Sequence, residues 1–177
     1  YAYDDDPVEV IDLTLDGAEI PEGVMLDLYD PAVLKTAFNA NFELTCLSKY
    51  IGAPLDVSQW SCTAVMAAEL GLPRSLEKVG EAMGLPEDKQ KSKTGKALIR
   101  FFSIPCKPTK ANNQRTRNLP GHDPDKWKLY IEYNRQDVVT EREIRRKLSR
   151  FKIDPKEHDL WIVDQAINNR GVLADVE

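Results

Sequence analysis

Residues 35–50 read KTAFNANFELTCLSKY, and this stretch decides the fold of the chain. Its first four residues form a short strand in our interpretation, and apolar side chains at helical spacing predict a helix from about Asn41 to Tyr50. A strand that passes directly into a helix is typical of an α/β domain. Asn39 would then lie at the carboxyl end of the strand, where open α/β sheets commonly bind ligands.

Further elements are predicted around this unit. Apolar residues on both sides of the turn-forming run Asp4-Asp5-Asp6-Pro7 predict a hairpin over residues 1–13. Asp30-Pro31 predicts a short helix, because Pro is favoured at the first helical position. Short strands are expected at 55–57 and 172–174, a long polar loop at 105–124, and helices at about 61–70, 75–84, 95–102, 124–148 and 154–171. This alternation favours an α/β sheet domain.

Composition restricts the class of protein. The 177 residues are 42% hydrophobic and 30% charged, which fits one globular domain, and no window approaches the ~18 apolar residues of a membrane span. Cys46, Cys62 and Cys106 are widely spaced, so we expect buried free thiols in the cytoplasm rather than a zinc or disulfide framework. His122 and His158 lack nearby Cys or His partners and are expected in loops or on the surface. The start without Met leads us to expect a fragment.

The net charge of −5 conceals a strongly basic segment. Residues 89–117 contain no Asp or Glu, and their cations are Lys89, Lys91, Lys93, Lys96, Arg100, Lys107, Lys110, Arg115 and Arg117. A local basic stretch on an acidic chain is typical of a surface that binds a polyanion. The alternative is a solvated lysine-rich loop. Phe101, Phe102 and Trp127 could stack on bases within such a surface, or pack in the core.

A pair of carboxylates carries the chemistry. Glu43 opens the helix after the first strand, and Asp137 lies four residues after Tyr133 on a predicted helix, so the phenol and the carboxylate share one face. Two carboxylates and a phenol suit hydrolysis of a phosphodiester by water bound to Mg²⁺ or Mn²⁺. Tyr-x-x-x-Asp alone also occurs by chance in many helices. Phe42 could stack on a base or pack inward, and Asn39 could bind a nucleotide or complete the turn.

These motifs resemble those of the proofreading 3′–5′ exonuclease domain of bacteriophage-type family A DNA polymerases. Asn39-x-x-Phe42-Glu43 is similar to the second motif of that family, and Tyr133-x-x-x-Asp137 is similar to the third. The longer phrases at 35–43, 75–80, 105–110 and 133–138 resemble the same polymerases, and residues 161–175 resemble the lead-in to their polymerase region.

The resemblance implies a ribonuclease-H-like mixed sheet with flanking helices, lacking its first strand. It implies an exonuclease-like domain over 1–149 and the start of a polymerase region over 150–177. Asp137 would ligate one of two Mg²⁺ or Mn²⁺ ions, Tyr133 would position the attacking water, and Glu43 would hold the second ion through water. The implied partners are the single-stranded or frayed 3′ end of DNA and a polymerase domain in cis. The terminal nucleotides would be contacted by Asn39 and Phe42, and the strand by the basic segment.

Two departures from the family pattern limit the expected activity. The first motif of the family, an Asp-x-Glu strand, does not precede Tyr1, and the run at Asp4 lies in a turn and does not replace it. Glu43 stands where most of the superfamily has Asp. We therefore expect this chain alone to be weakly active or inactive. Two other hypotheses remain: a non-catalytic exonuclease-like domain that binds DNA or braces the polymerase, and a protein-interaction module whose lysine-rich loop recruits a partner.

Overall fold

A computed structural model describes residues 1–86, 95–152 and 154–174. Two short strands are present in this part of the chain, β1 (Lys35–Ala37) and β2 (Trp60–Cys62). The helices are α1 (Glu22–Tyr29), α2 (Asn41–Ile51), α3 (Thr63–Glu69), α4 (Leu76–Ala82), α5 (Gly95–Ser103), α6 (Pro124–Leu148) and α7 (Pro155–Arg170). Single 3₁₀ turns lie at Val57–Gln59, Lys110–Asn112 and Pro120–His122.

The two strands pair in parallel. Lys35 lies opposite Trp60 and Ala37 opposite Cys62, and α2 lies between the strands in the chain. The predicted strand and helix over 35–50 are therefore confirmed. The predicted strand at 55–57 is wrong, because Asp56 accepts a hydrogen bond from the Ser58 amide and starts a 3₁₀ turn. The wider ribonuclease-H-like sheet stays a prediction.

Side-chain caps set the starts of α4 and α7. The Ser75 hydroxyl accepts from the Lys78 amide at 3.3 Å and begins α4. The Asp154 carboxylate accepts from the Lys156 amide at 3.0 Å and begins α7, with Pro at the first helical position. The predicted helices at 61–70, 75–84, 95–102, 124–148 and 154–171 are confirmed to within a few residues.

Three local predictions are wrong. No helix begins at Asp30, because its carboxylate accepts from the Ala32 amide at 2.8 Å and forms a turn; the helix of this region is α1, further upstream. Residues 172–174 form no strand, and Val172 is 91% exposed. Helical spacing also predicts Asn134 on the inner side of α6, together with Trp127, Ile131 and Val138, but Asn134 is exposed.

The chain divides into two compact units, and α6 contributes to both. The first unit comprises residues 1–20 and 85–140, and the second comprises 21–84 and 141–177. The predicted domain boundary at 149/150 stays a prediction. No helix in the described residues has the length and hydropathy of a membrane span.

An aromatic cluster forms the core of the first unit. Phe102 is 5% exposed, and its ring lies 4.9 Å from that of Trp127 and 5.5 Å from that of Tyr130, so the core-packing alternative is confirmed for Phe102 and Trp127. The N-terminal segment joins the unit through the Trp127 indole, which donates to the Asp12 carboxylate at 2.7 Å. Residues 1–13 form a turn rather than a β-hairpin ladder, closed by paired backbone bonds between Tyr1 and Glu9.

The second unit has its own apolar core. Strand β2, helix α2 and helix α7 meet there, and the buried members are Ala40, Leu44, Leu55, Trp60, Cys62 and Trp161. Ile144 and Leu148, in the last turns of α6, are completely buried. This core fixes the first turn of α2, which carries Glu43.

Candidate functional site

Tyr133 and Asp137 lie one turn apart on α6, in the first unit. The Tyr133 side chain is 5% exposed, and its ring stacks on Tyr130 at 6.1 Å with an interplanar angle of 7°. A Cβ added to Gly95, the first residue of α5, would overlap the Tyr133 ring. The phenol is thus held on one side by a ring and on another by the backbone of α5.

Glu43 is the third residue of α2, in the second unit. Its Oε2 atom is buried and has no hydrogen-bond partner among the described residues. Burial raises the pKa of Glu43 to about 7; a hydrogen bond from its own backbone amide opposes this rise, and the nearby Glu141 carboxylate adds to it. Leaving a buried carboxylate oxygen without a donor or a cation is unfavourable.

Glu141 is a functional candidate that the sequence did not reveal. It is 8% exposed, and its Oε1 atom accepts a 2.5 Å hydrogen bond from the Thr63 hydroxyl. Burial raises the pKa of Glu141, while the Thr63 hydrogen bond and the Arg145 guanidinium oppose that rise. The Arg145 guanidinium also donates to the Ser61 hydroxyl at 3.1 Å. The second unit therefore contains two neighbouring buried carboxylates. That of Glu141 is hydrogen-bonded to Thr63, whereas one oxygen of Glu43 has no hydrogen-bond partner among the described residues.

Asn39 lies between β1 and α2, and Phe42 is the second residue of α2. Asn39 has a φ of +68°, and its carbonyl accepts from the Phe42 amide at 2.9 Å, so Asn39 completes the strand-to-helix turn. Its side-chain amide is on an exposed residue. Phe42 is 64% exposed, so its inward-packing alternative is wrong. An exposed aromatic ring beside Glu43 is available to stack on a base.

The cations of the basic segment fall into three groups. Lys89, Lys91 and Lys93 lie outside the described residues. Arg115 is partly buried and donates from Nε to the Asn118 side chain at 2.9 Å. The exposed members are Lys96, Arg100, Lys107, Lys110 and Arg117. The described part of the segment therefore presents five exposed cations on α5 and the loop that follows it.

Among the cysteines and histidines, Cys106 lies in the basic segment, and its thiol donates to the Arg115 carbonyl at 3.4 Å. All three cysteines are free; Cys62 is buried as expected, Cys106 is partly buried, and the expectation of burial is wrong for Cys46, which is exposed. His122 accepts from the Leu119 amide in a turn, and His158 packs against Trp161.

The carboxylate oxygens that are present are suitable ligands for a hard divalent cation. Carboxylate oxygens are the ligands that Mg²⁺ and Mn²⁺ prefer, and the partnerless Glu43 oxygen is of this type. Among residues 1–86, 95–152 and 154–174, no group of three or more His, Cys, Asp or Glu side chains is arranged to hold a metal ion. The two-ion site stays a prediction.

We expect Glu43→Gln to stabilise the chain at pH 8 by about 1–2 kcal/mol, after a discount for solvent screening. The folded-state pKa of about 7 exceeds the reference value of 4.5. The protonated side chain therefore stabilises the fold fully below pH 4.5, and this contribution is lost as the pH rises through 7. The Gln side chain is uncharged, like protonated Glu, so the variant does not lose this stability as the pH rises.

Urea unfolding of both forms at pH 5 and pH 8 measures this effect. Glu22→Gln, at an exposed position of α1 in the same unit, controls for the change in net charge. A stability difference for Glu43→Gln that is equal at the two pH values would show that Glu43 does not titrate between them.

Comparison with known proteins adds one strong match. The chain is 53% identical over all 177 residues to the DNA polymerase of Bacillus phage SP02. The match covers 100% of this chain and 27% of that polymerase, so the chain spans about a quarter of the length of the curated relative. No protein-family model matches the chain, and no solved structure matches it. The chain is therefore similar throughout to part of a phage DNA polymerase.

Proposed function

We propose that this chain is the 3′–5′ proofreading exonuclease part of a phage-type DNA polymerase, with a ribonuclease-H-like fold. The similarity to the phage polymerase supports the class of protein. The observation that carries the nuclease assignment is the buried Glu43 oxygen without a hydrogen-bond partner among the described residues. A divalent cation would supply the missing partner, and the motif around Glu43 is similar to a metal-binding motif of that family.

Each motif residue has a role in the proposal. Asp137 would ligate one metal ion, and Glu43 would hold a second one through water. When bound there, Mg²⁺ or Mn²⁺ would activate water at neutral pH and would stabilise the leaving oxygen. Tyr133 orients the attacking water, and the fixed position of its ring suits this role, because catalytic groups must be held in a productive geometry.

The proposed substrate is the single-stranded 3′ end of DNA. The protein would act in the cytoplasm of a bacterium, and a polymerase domain would be joined to this segment in the same chain. Phe42 stacks on a terminal base, the exposed side chain of Asn39 contacts the terminal nucleotides, and the basic segment holds phosphates. Glu43 and Asp137 are two of the four carboxylates in the family pattern, so the chain alone is expected to cleave DNA weakly or not at all.

Stepwise digestion of single-stranded DNA tests the proposal. A polymerase that carries this segment should shorten a 5′-labelled strand one nucleotide at a time from its 3′ end, in the presence of Mg²⁺ or Mn²⁺ only. Internal cleavage, or cleavage that persists in a chelator, would contradict it. DNA binding without metal-dependent shortening would support the non-catalytic exonuclease-like domain. Failure to bind single-stranded DNA at any salt concentration would favour the protein-interaction module.

We expect Phe42→Ala to weaken binding of single-stranded DNA by roughly 5- to 150-fold, which corresponds to about 1–3 kcal/mol for one base–aromatic stack. Because Phe42 is exposed, the free energy of unfolding should change by less than about 0.5 kcal/mol. Fluorescence anisotropy of a labelled oligonucleotide measures the affinity.

A matched control is available in the same unit. Leu26, on α1, is 65% exposed and equally apolar, and Leu26→Ala should leave the affinity unchanged. Phe42→Trp should retain binding, since Trp also stacks. Equal losses in Phe42→Ala and Leu26→Ala would argue against a stacking role.

A further inference from the structure

The loop over residues 105–118, here called the basic loop, is closed by its own hydrogen bonds. The Cys106 amide donates to the Thr116 carbonyl at 2.8 Å, and the Gln114 amide donates to the Thr109 carbonyl at 2.9 Å. Within the loop, the Asn112 side-chain amide donates to the Lys107 carbonyl at 2.9 Å. Compact loops whose ends are close and whose interiors are bonded in this way are frequently functional.

Asn118 fastens the basic loop to α5. Its side chain is buried, its Nδ2 atom donates to the Phe101 carbonyl at 2.9 Å, and its Oδ1 atom accepts from Arg115 Nε at 2.9 Å. The Phe101 carbonyl lies in the last turn of α5, where helix carbonyls lack a partner within the helix. The buried side-chain amide of Asn118 thus joins the helix end to the loop, and both its nitrogen and its oxygen are hydrogen-bonded.

The joined segment presents only positive charge. Residues 95–118 contain no Asp or Glu. Lys96 and Arg100 are four residues apart on α5 and lie on the same face of the helix. Lys107, Lys110 and Arg117 are exposed on the basic loop. Arg115 differs from these five, because it is partly buried and bonded to Asn118.

We propose that α5 and the basic loop form one preorganised phosphate-binding surface for single-stranded DNA, in which Arg115 and Asn118 are positioning residues that hold the loop. This inference rests on the proposed function, which supplies a single-stranded 3′ end. A loop that is already ordered avoids the loss of conformational freedom that a flexible loop suffers on binding. The five exposed cations then contact successive phosphates, while the guanidinium of Arg115 keeps its bond to Asn118.

Salt-dependent binding of a fluorescein-labelled oligo-dT to the 177-residue chain tests this surface. Each cation that contacts a phosphate contributes about 0.7 to the slope of log affinity against log salt concentration. Lys107→Ala, Lys110→Ala and Arg117→Ala should each lower the slope by about that amount. Lys128→Ala removes a cation with 80% side-chain exposure from α6, outside the surface, and should leave the slope unchanged.

Two variants keep the five exposed cations and test the positioning of the loop separately from its contacts with phosphate. Asn118→Ala removes both tethering bonds, and Arg115→Lys keeps the charge but loses the planar Nε donor. Each should weaken binding roughly three- to tenfold at fixed salt, because the loop must then be ordered on binding. Both should also speed hydrogen exchange at the Cys106 and Gln114 amides. Circular dichroism checks folding, and Arg115→Lys alone suffices if Asn118→Ala does not fold.

Two results would overturn the inference. The first is that Asn118→Ala and Arg115→Lys bind with wild-type affinity while Lys107→Ala lowers the salt slope. This would mean that the cations act without a preformed loop. Wild-type slopes in all three lysine and arginine variants would mean that DNA does not bind this surface. Neither result bears on metal-dependent shortening of 3′ ends, so the proposed function is judged separately.

Discussion

Asp137→Ala is expected to slow removal of 3′ nucleotides by about 10²–10³-fold in a polymerase that carries this segment. Electrostatic stabilisation is the largest contribution to reactions of this kind, and loss of one preorganised group has effects of this size. The carboxylate would ligate a metal ion that stabilises the developing charge. The rate is measured as single-turnover digestion of 5′-labelled single-stranded DNA, with primer extension by the same protein as the internal control.

A second variant on α6 separates the metal ligand from the group that orients water. Tyr133→Phe keeps the ring that stacks on Tyr130 and removes only the hydroxyl. We expect a loss of roughly 10–100-fold, which is typical when a group that orients a metal ligand is removed. Asp159→Ala, at an exposed position of α7, controls for loss of a surface carboxylate. An Asp137→Ala polymerase that digests DNA at the wild-type rate would exclude the proposed hydrolytic site.

The local unit around β1 and α2 could be predicted because strand composition and helical periodicity meet at Asn39. The starts of α6 and α7 could be predicted because each helix begins at the Pro of an Asp-Pro pair. Helix α1 was missed because it starts after Pro21 without a side-chain cap, whereas Asp30-Pro31 downstream is a stronger start signal that forms a turn. Short elements of this kind depend on their neighbours more than on their own residues.

The candidate site was only partly predictable for a related reason. Glu43, Tyr133 and Asp137 were found from motifs, but Glu141 stands in the charged run TEREIRRK over residues 140–147, which is typical of a solvated helix face. It is nevertheless buried, and Thr63, far earlier in the chain, donates a hydrogen bond to it. Spacing on α6 was the available signal, since Glu141 follows Asp137 by one turn. Contacts between distant parts of the chain leave no periodic pattern in the sequence.

Gly95→Ala is expected to destabilise the chain by about 1–3 kcal/mol, the usual cost of overpacking. Helix propensity alone predicts the opposite, since Ala is favoured over Gly within a helix by up to about 1 kcal/mol. The sign is reversed because the new methyl group would overlap the buried ring of Tyr133. Urea unfolding measures the change. Gly121→Ala is the matched control, because a Cβ at that position has no neighbour within 4 Å and should be tolerated.

A double-mutant cycle shows whether the Tyr133 ring is the cause. Tyr133→Leu shortens the side chain and makes room for the methyl group, so Gly95→Ala should cost much less in the Tyr133→Leu background than in the wild type. Equal costs in the two backgrounds would place the strain elsewhere. If the ring is displaced as expected, Gly95→Ala should also slow 3′-end removal to about the level of Tyr133→Phe while primer extension continues. The packing of α5 against one ring would then link the stability of the first unit to the orientation of the phenol.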